Sequence, residues 1–243
     1  MVSWFLSYRF EVLYWMSNNQ FYEVELKSLL GSKQAADRLL SEMKAKDPHF
    51  CLLSFEKQLN HYFIGGDLEK LAENVKGLFK KPDFERFLEL TEKTKDYSLR
   101  SRLINGNGLF LVFKAALDDK AAANSPKRAE FEAEIPEIDL EELDRRIFNA
   151  GFRYQAKWSR ERQKYQFREI HVTIDKNAGY GYLAELEIME RAAEKVEEAS
   201  ERLKFILGEL GLKELSHDRL ERMFQFYNNH WQEYYGTDKI FIV

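Results

Sequence analysis

The segment Tyr22-Glu23-Val24-Glu25-Leu26-Lys27 alternates charged and apolar side chains, and this alternation has the period of a β-strand. Successive side chains of a strand point to opposite faces, so Val24 and Leu26 are predicted to face a core. The other face is then shared by Glu23, Glu25 and Lys27. Two carboxylates and an ammonium group on one face suit a ligand that carries charges of both signs.

The same alternation recurs along the chain and predicts further strands. They cover residues 59–64 (the weakest pattern), 98–104, 109–114, 128–135, 158–165, 170–175 and 183–188. Apolar residues at helical spacing predict helices over residues 32–46, 67–96, 139–149, 192–210 and 216–235. The second of these is expected to break into two near Lys81-Pro82. With neither a long linker nor an internal repeat, the pattern predicts an α+β fold in one domain.

Composition and charge limit the classes of function. The chain has 243 residues and a net charge of −4, so there is no overall basic field and we expect no nucleic-acid partner. Residues 1–17 read as an N-terminal extension, because the apolar run is too short to span a bilayer and lacks the basic start of a signal peptide. We therefore expect no membrane association.

The chain contains one cysteine, Cys51, so it can form no internal disulfide. A buried apolar thiol is the expected state of this residue. The cysteine content suits a reducing compartment, and we expect a cytoplasmic location. The histidines His61 and His171 are expected to be structural hydrogen-bonding residues beside strands.

Full charges occupy alternate positions on the polar faces of most predicted strands. For one strand, a solvated face with cross-strand ion pairs is the simplest explanation. For the whole set a wet cavity is the better explanation, because dry burial of so many ions would be too costly. A polyphosphate with a divalent metal accounts for both signs, since phosphate binds Lys and Arg while the metal binds carboxylates. The acids are Glu23, Glu25, Glu130, Glu132, Asp175, Glu185 and Glu187, and the bases are Lys27, Arg100, Arg102, Lys114, Arg128, Arg160 and Arg162.

In order and spacing, these segments resemble the motifs of the CYTH superfamily, also called triphosphate tunnel metalloenzymes. The opening Glu23-to-Lys27 run resembles its ExExK signature. Further likenesses are to its LRxR strand at residues 99–102, its lysine strand at 113–114, its RxExE strand at 128–132, its K/RxRxxY strand at 160–165 and its closing hlD…G…ElE pattern at 171–187. Together they cover residues 21–188.

The resemblance implies an antiparallel eight-stranded β-barrel, or tunnel, flanked by helices. It implies phosphate binding by Lys27, Arg100, Arg102, Lys114, Arg128, Arg160 and Arg162. It implies that Glu23 and Glu25 bind Mg²⁺ or Mn²⁺ together with Glu185 or Glu187, while Glu130, Glu132 and Asp175 complete the acidic, metal-binding side. We expect catalysis to depend on Glu23, Glu25, Lys27 and Arg160.

The expected function is metal-dependent hydrolysis of a small triphosphate, which is tripolyphosphate or a nucleoside or thiamine triphosphate. One alternative is a class IV adenylate cyclase that makes cyclic AMP from ATP, and another is a non-catalytic triphosphate-binding protein. The single domain is expected to span residues 18–243, as a monomer or homodimer. A helical insert at 64–97 would form a cap near a tunnel mouth, and helices at 192–235 would follow the last strand.

Overall fold

The computed structural model describes residues 22–94, 96–117 and 127–242, except the side chains of residues 22, 23, 93, 116, 117, 127–130 and 193. The N-terminal extension predicted for residues 1–17 therefore lies outside the described residues. The described chain forms eight strands and six α-helices. In chain order they are β1 (Tyr22–Gly31), α1 (Lys33–Lys46), β2 (Cys51–Gly65), α2 (Leu68–Val75), α3 (Lys81–Lys93), β3 (Tyr97–Ile104), β4 (Gly108–Leu117), β5 (Lys127–Glu134), α4 (Leu140–Asn149), β6 (Phe152–Phe167), β7 (Ile170–Asn177), β8 (Gly181–Glu190), α5 (Val196–Glu209) and α6 (His217–Tyr234).

The chain divides into two compact units. The first runs to Glu56 and resumes at Arg160, and the second comprises Lys57–Ser159. Strand order is β1-β8-β7-β6 in the first unit and β2-β3-β4-β5 in the second, with antiparallel neighbours. These strands and helices confirm the predicted α+β fold with eight antiparallel strands. Closure of the strands into a barrel stays a prediction.

The first unit buries the apolar faces of its strands beneath two helices. Val24 and Leu26 of β1 belong to one core with Val172 and Ile174 of β7, as the alternation predicted. Helix α1 is capped by Ser32, whose hydroxyl accepts a hydrogen bond from the Ala35 amide at 3.2 Å. Its buried residues and those of α5 recur at helical spacing, so each helix lays one apolar stripe on the core. They are Ala36, Leu39 and Met43 of α1, and Ala199, Leu203, Ile206 and Leu207 of α5.

Helices α2 and α3 are core elements of the second unit, and the prediction that the insert at 64–97 forms a cap near a tunnel mouth stays a prediction. Leu71 and Phe87 are fully buried in one cluster with Phe113 and Phe131 of β4 and β5. The ring of Phe87 packs edge-on against Phe113, with centroids 5.6 Å apart. Each such side chain contributes about 1.5–3 kcal/mol when buried. Sequence analysis recognised the helices but could not show that their apolar stripes meet the strands.

The predicted break near Lys81-Pro82 is confirmed, because a 3₁₀ turn at Lys76–Leu78 and two further residues separate α2 from α3. Pro82 lies in the first turn of α3, where its missing amide hydrogen is harmless. One local prediction is corrected by the structure. Cys51 is exposed instead of buried, because it begins β2 whereas β3 pairs with that strand only from Gln58 onward. Among the described residues, no helix is long and apolar enough to cross a membrane.

The turn between β7 and β8 requires glycine at position 181. Gly181 has φ +72°, and an added Cβ would overlap the carbonyl oxygen of Gly31. Gly211 has a similar φ of +66°, yet an added Cβ there would meet nothing within 4 Å.

We predict that Gly181→Ala lowers the free energy of unfolding by at least about 2 kcal/mol, against about 1 kcal/mol for Gly211→Ala. Urea denaturation of both variants would measure this, and equal losses would contradict the close approach.

Candidate functional site

The strand register of the first unit places the predicted charges side by side on the face opposite the core. Glu25 of β1 is the cross-strand partner of Glu187 on β8, and Lys27 is the partner of Glu185. On the other side, Thr173 of β7 is the partner of Glu185. Because the register is antiparallel and unbroken here, these side chains form adjacent rows. This surface is called the charged face below; its described members are Glu25, Lys27, Glu56, Arg160, Arg162, Lys164, His171, Thr173, Asp175, Glu185 and Glu187.

Glu185 joins two cations on the charged face. The Nζ atom of Lys27 donates to Glu25 Oε1 at 2.6 Å and lies 3.1 Å from Glu185 Oε1. The second oxygen of Glu185 accepts a hydrogen bond from Arg162 Nη2 at 3.0 Å. The ammonium group of Lys27 thus lies between two carboxylates, and only 10% of its side chain is exposed.

Asp175 is the most deeply buried carboxylate of the charged face, with 1% of its side chain exposed. Arg162 donates from Nε to Oδ1 at 2.8 Å and from Nη2 to Oδ2 at 2.6 Å, and Arg160 Nη1 donates to Oδ2 at 3.2 Å. Paired, two-point contacts of this kind fix the plane of a guanidinium group. The neighbouring strand positions bring Lys164 Nζ to 3.8 Å from Glu187.

The shifts in the pKa values of Glu185 and Arg162 both favour the charged forms of these side chains. Burial would raise the pKa of Glu185, but the positive charges of Lys27, Arg162 and Arg160 outweigh it and hold the pKa well below its usual range. Burial likewise opposes the charge of Arg162, but its hydrogen bond to Asp175 and the field of Glu185 raise the pKa above its usual value. Glu56 contributes to the same field, so it lies near Arg162.

Sequence analysis missed Glu56 as a member of the charged face, and it gave Thr173 and His171 no part in the site although the alternation of residues 170–175 sets both on the face of Asp175. Glu56 precedes the weak alternation that predicted β2. His171 alternates with core residues of β7, and its register partner is Glu187. Burial, followed by the charge of Lys164, lowers the pKa of this imidazole. None of the described side chains forms a hydrogen bond with His171, so the structure does not support its expected role as a structural hydrogen-bonding residue.

The donor chemistry of the charged face fits a hard divalent cation. Carboxylate oxygens are the preferred protein ligands of Mg²⁺ and Mn²⁺, and Glu25, Glu185 and Glu187 occupy adjacent positions. Their oxygens are nevertheless drawn towards ammonium and guanidinium groups. Within the described part of the chain, three potential ligand atoms lie within 4.8 Å of one another only at His217, Asp218 and Glu221, which form a partly exposed turn of α6. A cation on the charged face would therefore have to displace existing ion pairs.

The second unit has a smaller charged cluster, centred on two arginines of β3. Arg102 donates from Nε to Asn60 Oδ1 at 3.1 Å and from Nη1 to Glu132 Oε2 at 2.9 Å. Arg100 donates from Nη1 to the Tyr62 hydroxyl at 2.9 Å. The partially buried Lys114 is on β4, paired in register with Ser98 and Glu130. Sequence analysis identified the charges but missed Asn60 and Tyr62, because the alternation in β2 is weak.

Three predicted site residues, Glu23, Arg128 and Glu130, have side chains outside the described set. Their backbone positions follow the predicted strands, with Glu23 paired to Met189 on β8 and Arg128 paired to Ala116 on β4. Their roles as metal and phosphate ligands stay predictions.

A buried carboxylate supports the strand pair that carries the arginines of the second unit. Asp144 of α4 accepts a hydrogen bond at 2.6 Å from the Ser101 hydroxyl, and another at 2.6 Å from the Tyr154 hydroxyl. Its Oδ2 also lies 2.6 Å from Nδ1 of His61, which confirms the hydrogen-bonding role predicted for that histidine. Since His61 and Ser101 are cross-strand partners, this network fixes the register of β2 and β3.

The Asp144 network should contribute strongly to stability. Asp144→Ala removes the partner of the buried Ser101 and His61 side chains and of the half-buried Tyr154 hydroxyl, and a buried polar group costs about 1–3 kcal/mol when it is unsatisfied. We expect the free energy of unfolding to fall by about 3 kcal/mol or more. Asp83→Ala, at an exposed position of α3, is the control and should cost less than about 1 kcal/mol. Similar losses in the two variants, measured by urea denaturation, would show that the network is not stabilising.

The family comparison covers most of the chain. A family model described as the CYTH domain matches residues 22–220. The match includes the charged face of the first unit and the arginine cluster of the second. None of the curated proteins matches the chain.

Solved structures with the same fold are distant in sequence. A protein from Pyrococcus horikoshii OT3 is 24% identical, with a TM-score of 0.53 over 84% of this chain and 99% of that chain. A conserved hypothetical protein from Pyrococcus furiosus is 22% identical, with a TM-score of 0.52 over 79% of this chain and 91% of that one. A Vibrio parahaemolyticus protein provisionally named an adenylate cyclase is 16% identical, with a TM-score of 0.51 over 80% and 92%. At these identities the likeness concerns the fold.

Proposed function

Because the chain belongs to the CYTH domain family, we propose that it is a metal-dependent phosphohydrolase that acts on a small triphosphate. The observation that carries the proposal is the network in which Glu25, Lys27, Glu185 and Arg162 alternate in sign on one face. In a binding site for an anion alone the carboxylates would repel the ligand, and in a site for a cation alone Lys27 and Arg162 would repel it.

The cations of the charged face would bind and orient the phosphate chain. Arg162 is held in a fixed plane by Asp175, so it presents its remaining donor atoms in a defined direction. The ammonium group of Lys27 is compact and its side chain is flexible, so it can stay close to a phosphate oxygen while negative charge develops on that oxygen. Such positioning and electrostatic stabilisation account for most of the catalysis in phosphoryl transfer. Arg160, bound to the same carboxylate, would act beside them.

The carboxylates of Glu25, Glu185 and Glu187 would hold Mg²⁺ or Mn²⁺, with Glu23 as a further predicted ligand. The bound cation would neutralise phosphate charge and lower the pKa of a bound water. Asp175 was predicted to be a metal ligand, but its contacts with Arg160 and Arg162 suit a positioning role better. We assign phosphate binding in the same reaction to Arg100, Arg102, Lys114 and Arg128, and the remaining acidic roles to Glu130 and Glu132.

Release of inorganic phosphate from tripolyphosphate tests this function directly. We expect turnover with Mg²⁺ or Mn²⁺ and none in EDTA, because EDTA removes the cation that the carboxylates would hold beside the phosphate chain. The assay should include ATP and thiamine triphosphate and should monitor cyclic AMP. If no phosphate is released from any of these substrates with either metal, the protein is not a triphosphatase of this kind.

Glu187 should be needed for turnover but not for folding. We predict that Glu187→Gln lowers kcat/KM for tripolyphosphate by about 100-fold or more, because the amide is a poorer ligand for a hard cation. Glu214→Gln, an exposed position after α5, removes the same charge and should leave kcat/KM unchanged. The thermal midpoints of both variants should stay near that of the parent. An active Glu187→Gln at limiting Mg²⁺ would exclude this residue as a ligand.

Tripolyphosphate should be hydrolysed at least as efficiently as ATP. The charged face offers ion-pair donors worth about 1.5–3 kcal/mol each to the phosphate chain, whereas a nucleobase has no evident dedicated partners in the sequence. Comparison of kcat/KM for the two substrates at equal Mg²⁺ checks this expectation. A tenfold preference for ATP, with cyclic AMP as product, would instead identify an adenylate cyclase.

A further inference from the structure

The last residues that the structure describes, 237–242, run beside the turn between β7 and β8 and are called the C-terminal tail below. The amide of Gly179, in this turn, donates a hydrogen bond to the carbonyl oxygen of Lys239 at 3.0 Å. The amide of Phe241 donates to the carbonyl oxygen of Gly179 at 2.5 Å. The two bonds form a parallel bridge between Gly179 and Ile240, so the tail and the turn are held in one register.

Side chains also hold the tail against the turn. The ring of Phe241 lies 4.7 Å from that of Phe226 and 5.3 Å from that of Tyr234, measured between centroids, and both partners belong to α6. Aromatic rings at such distances attract one another beyond the effect of burial. A Cβ atom added at Gly179 would lie 2.5 Å from the Tyr227 ring and 2.9 Å from the Phe241 ring. The turn is therefore clamped between α6 and the tail.

The clamped turn begins where the charged face ends. Asn177, the buried last residue of β7, is the register partner of Arg160 on β6. Arg160 donates to Asp175 at 3.2 Å from one nitrogen, whereas Arg162 makes a two-point contact at 2.8 and 2.6 Å. In the strand register, Arg160 is thus the cation of the charged face nearest to the turn, and Asp175 constrains it less than Arg162. A displaced turn would move Arg160 first.

We propose that Phe241 is a positioning residue, which holds the β7–β8 turn through the C-terminal tail and thereby fixes the direction of the Arg160 guanidinium group. The proposal rests on the proposed function for the ligand of Arg160, but not for the link between the tail and this side chain. An arginine binds phosphate oxygens through donors in a fixed plane, so a small displacement lowers affinity. The family match ends at residue 220, so the tail lies beyond the part of the chain that the family model covers.

Nuclear magnetic resonance of arginine side chains tests this link without any ligand. The Nε–H signal of Arg160, assigned by its loss in Arg160→Lys, should shift in Phe241→Ala. It should keep its parental position in Ile242→Ala, because the Ile242 side chain is 94% exposed. Hydrogen exchange at the Gly179 amide should become about tenfold faster in Phe241→Ala, since its bond to the tail opens more often. An unchanged Arg160 signal in Phe241→Ala would overturn the proposal, even if exchange at Gly179 became faster.

A double-mutant cycle separates positioning from a general loss of structure. The readout is the affinity for a non-hydrolysable probe, imidotripolyphosphate, measured by calorimetry in saturating Mg²⁺. We expect Phe241→Ala to weaken probe binding about fivefold in the parent, but less than about twofold in an Arg160→Lys background, where the positioned group is already lost. In a Lys164→Gln background the loss should stay about fivefold, because Lys164 lies farther from the turn in the register.

The conservative variant Phe241→Leu completes the cycle. Leucine keeps an apolar side chain against α6, so this variant should recover most of the probe affinity that Phe241→Ala loses. Equal losses from Phe241→Ala in the parent and in the Arg160→Lys background would show that the residue acts through stability alone, and would refute the positioning role.

The positioning role and the proposed function fail in different ways. A shifted Arg160 signal in Phe241→Ala, in a protein that neither binds the probe nor releases phosphate from tripolyphosphate, would refute the triphosphatase and leave the link between the tail and Arg160 intact. Phosphate release by the parent, with an unchanged Arg160 signal in Phe241→Ala, would leave hydrolysis intact and refute the positioning role.

Discussion

Asp175 is buried between Arg160 and Arg162, and the charged face of the first unit depends on this contact. A carboxylate with almost no exposure is stable only when its charge is compensated by well-placed donors. The same pairing also stabilises the charged guanidinium group of Arg162, which its own burial would otherwise disfavour. Apolar residues of the same strand, Val172 and Ile174, anchor it from the opposite face. Core packing and site geometry are thus coupled, because neighbouring residues of β7 belong to the core and to the site.

The ion pairs around Asp175 are of two kinds: some hold their charges in one arrangement, and in others the charged groups can exchange partners. Glu185 is less firmly tied than Asp175, yet the neighbouring positive charges outweigh its burial and hold its pKa below the usual range. Exchangeable pairs of opposite sign suit a ligand that brings both signs itself, as a metal-bound triphosphate does. In the second unit, Asp144 has an analogous structural role from behind the sheet, since it fixes the register of the strands that present Arg100 and Arg102.

Much of the fold could be predicted because alternation and helical spacing are local properties of the chain. Every predicted strand and helix is present, and observed bounds extend some of them, such as β2 and β6. The packing of the helices in the insert at 64–97 against β4 and β5 was not predicted, because amphipathic spacing shows that a helix has an apolar stripe but not what covers it. Cys51 was predicted to be buried from its residue type alone, although its exposure depends on where β3 stops pairing with β2.

The sequence by itself determined which side chains share a strand face, because the period of a strand is two, and it thereby identified most charges of the candidate site. Only the tertiary structure decided which charges are partners. Pairing depends on strand register and on side-chain reach, and residues such as Lys27 and Glu185 are far apart in the chain. The same reason explains why Glu56, Asn60, Tyr62 and Asp144 were missed. Each acquires its role from a residue on another element, and no local pattern records that contact.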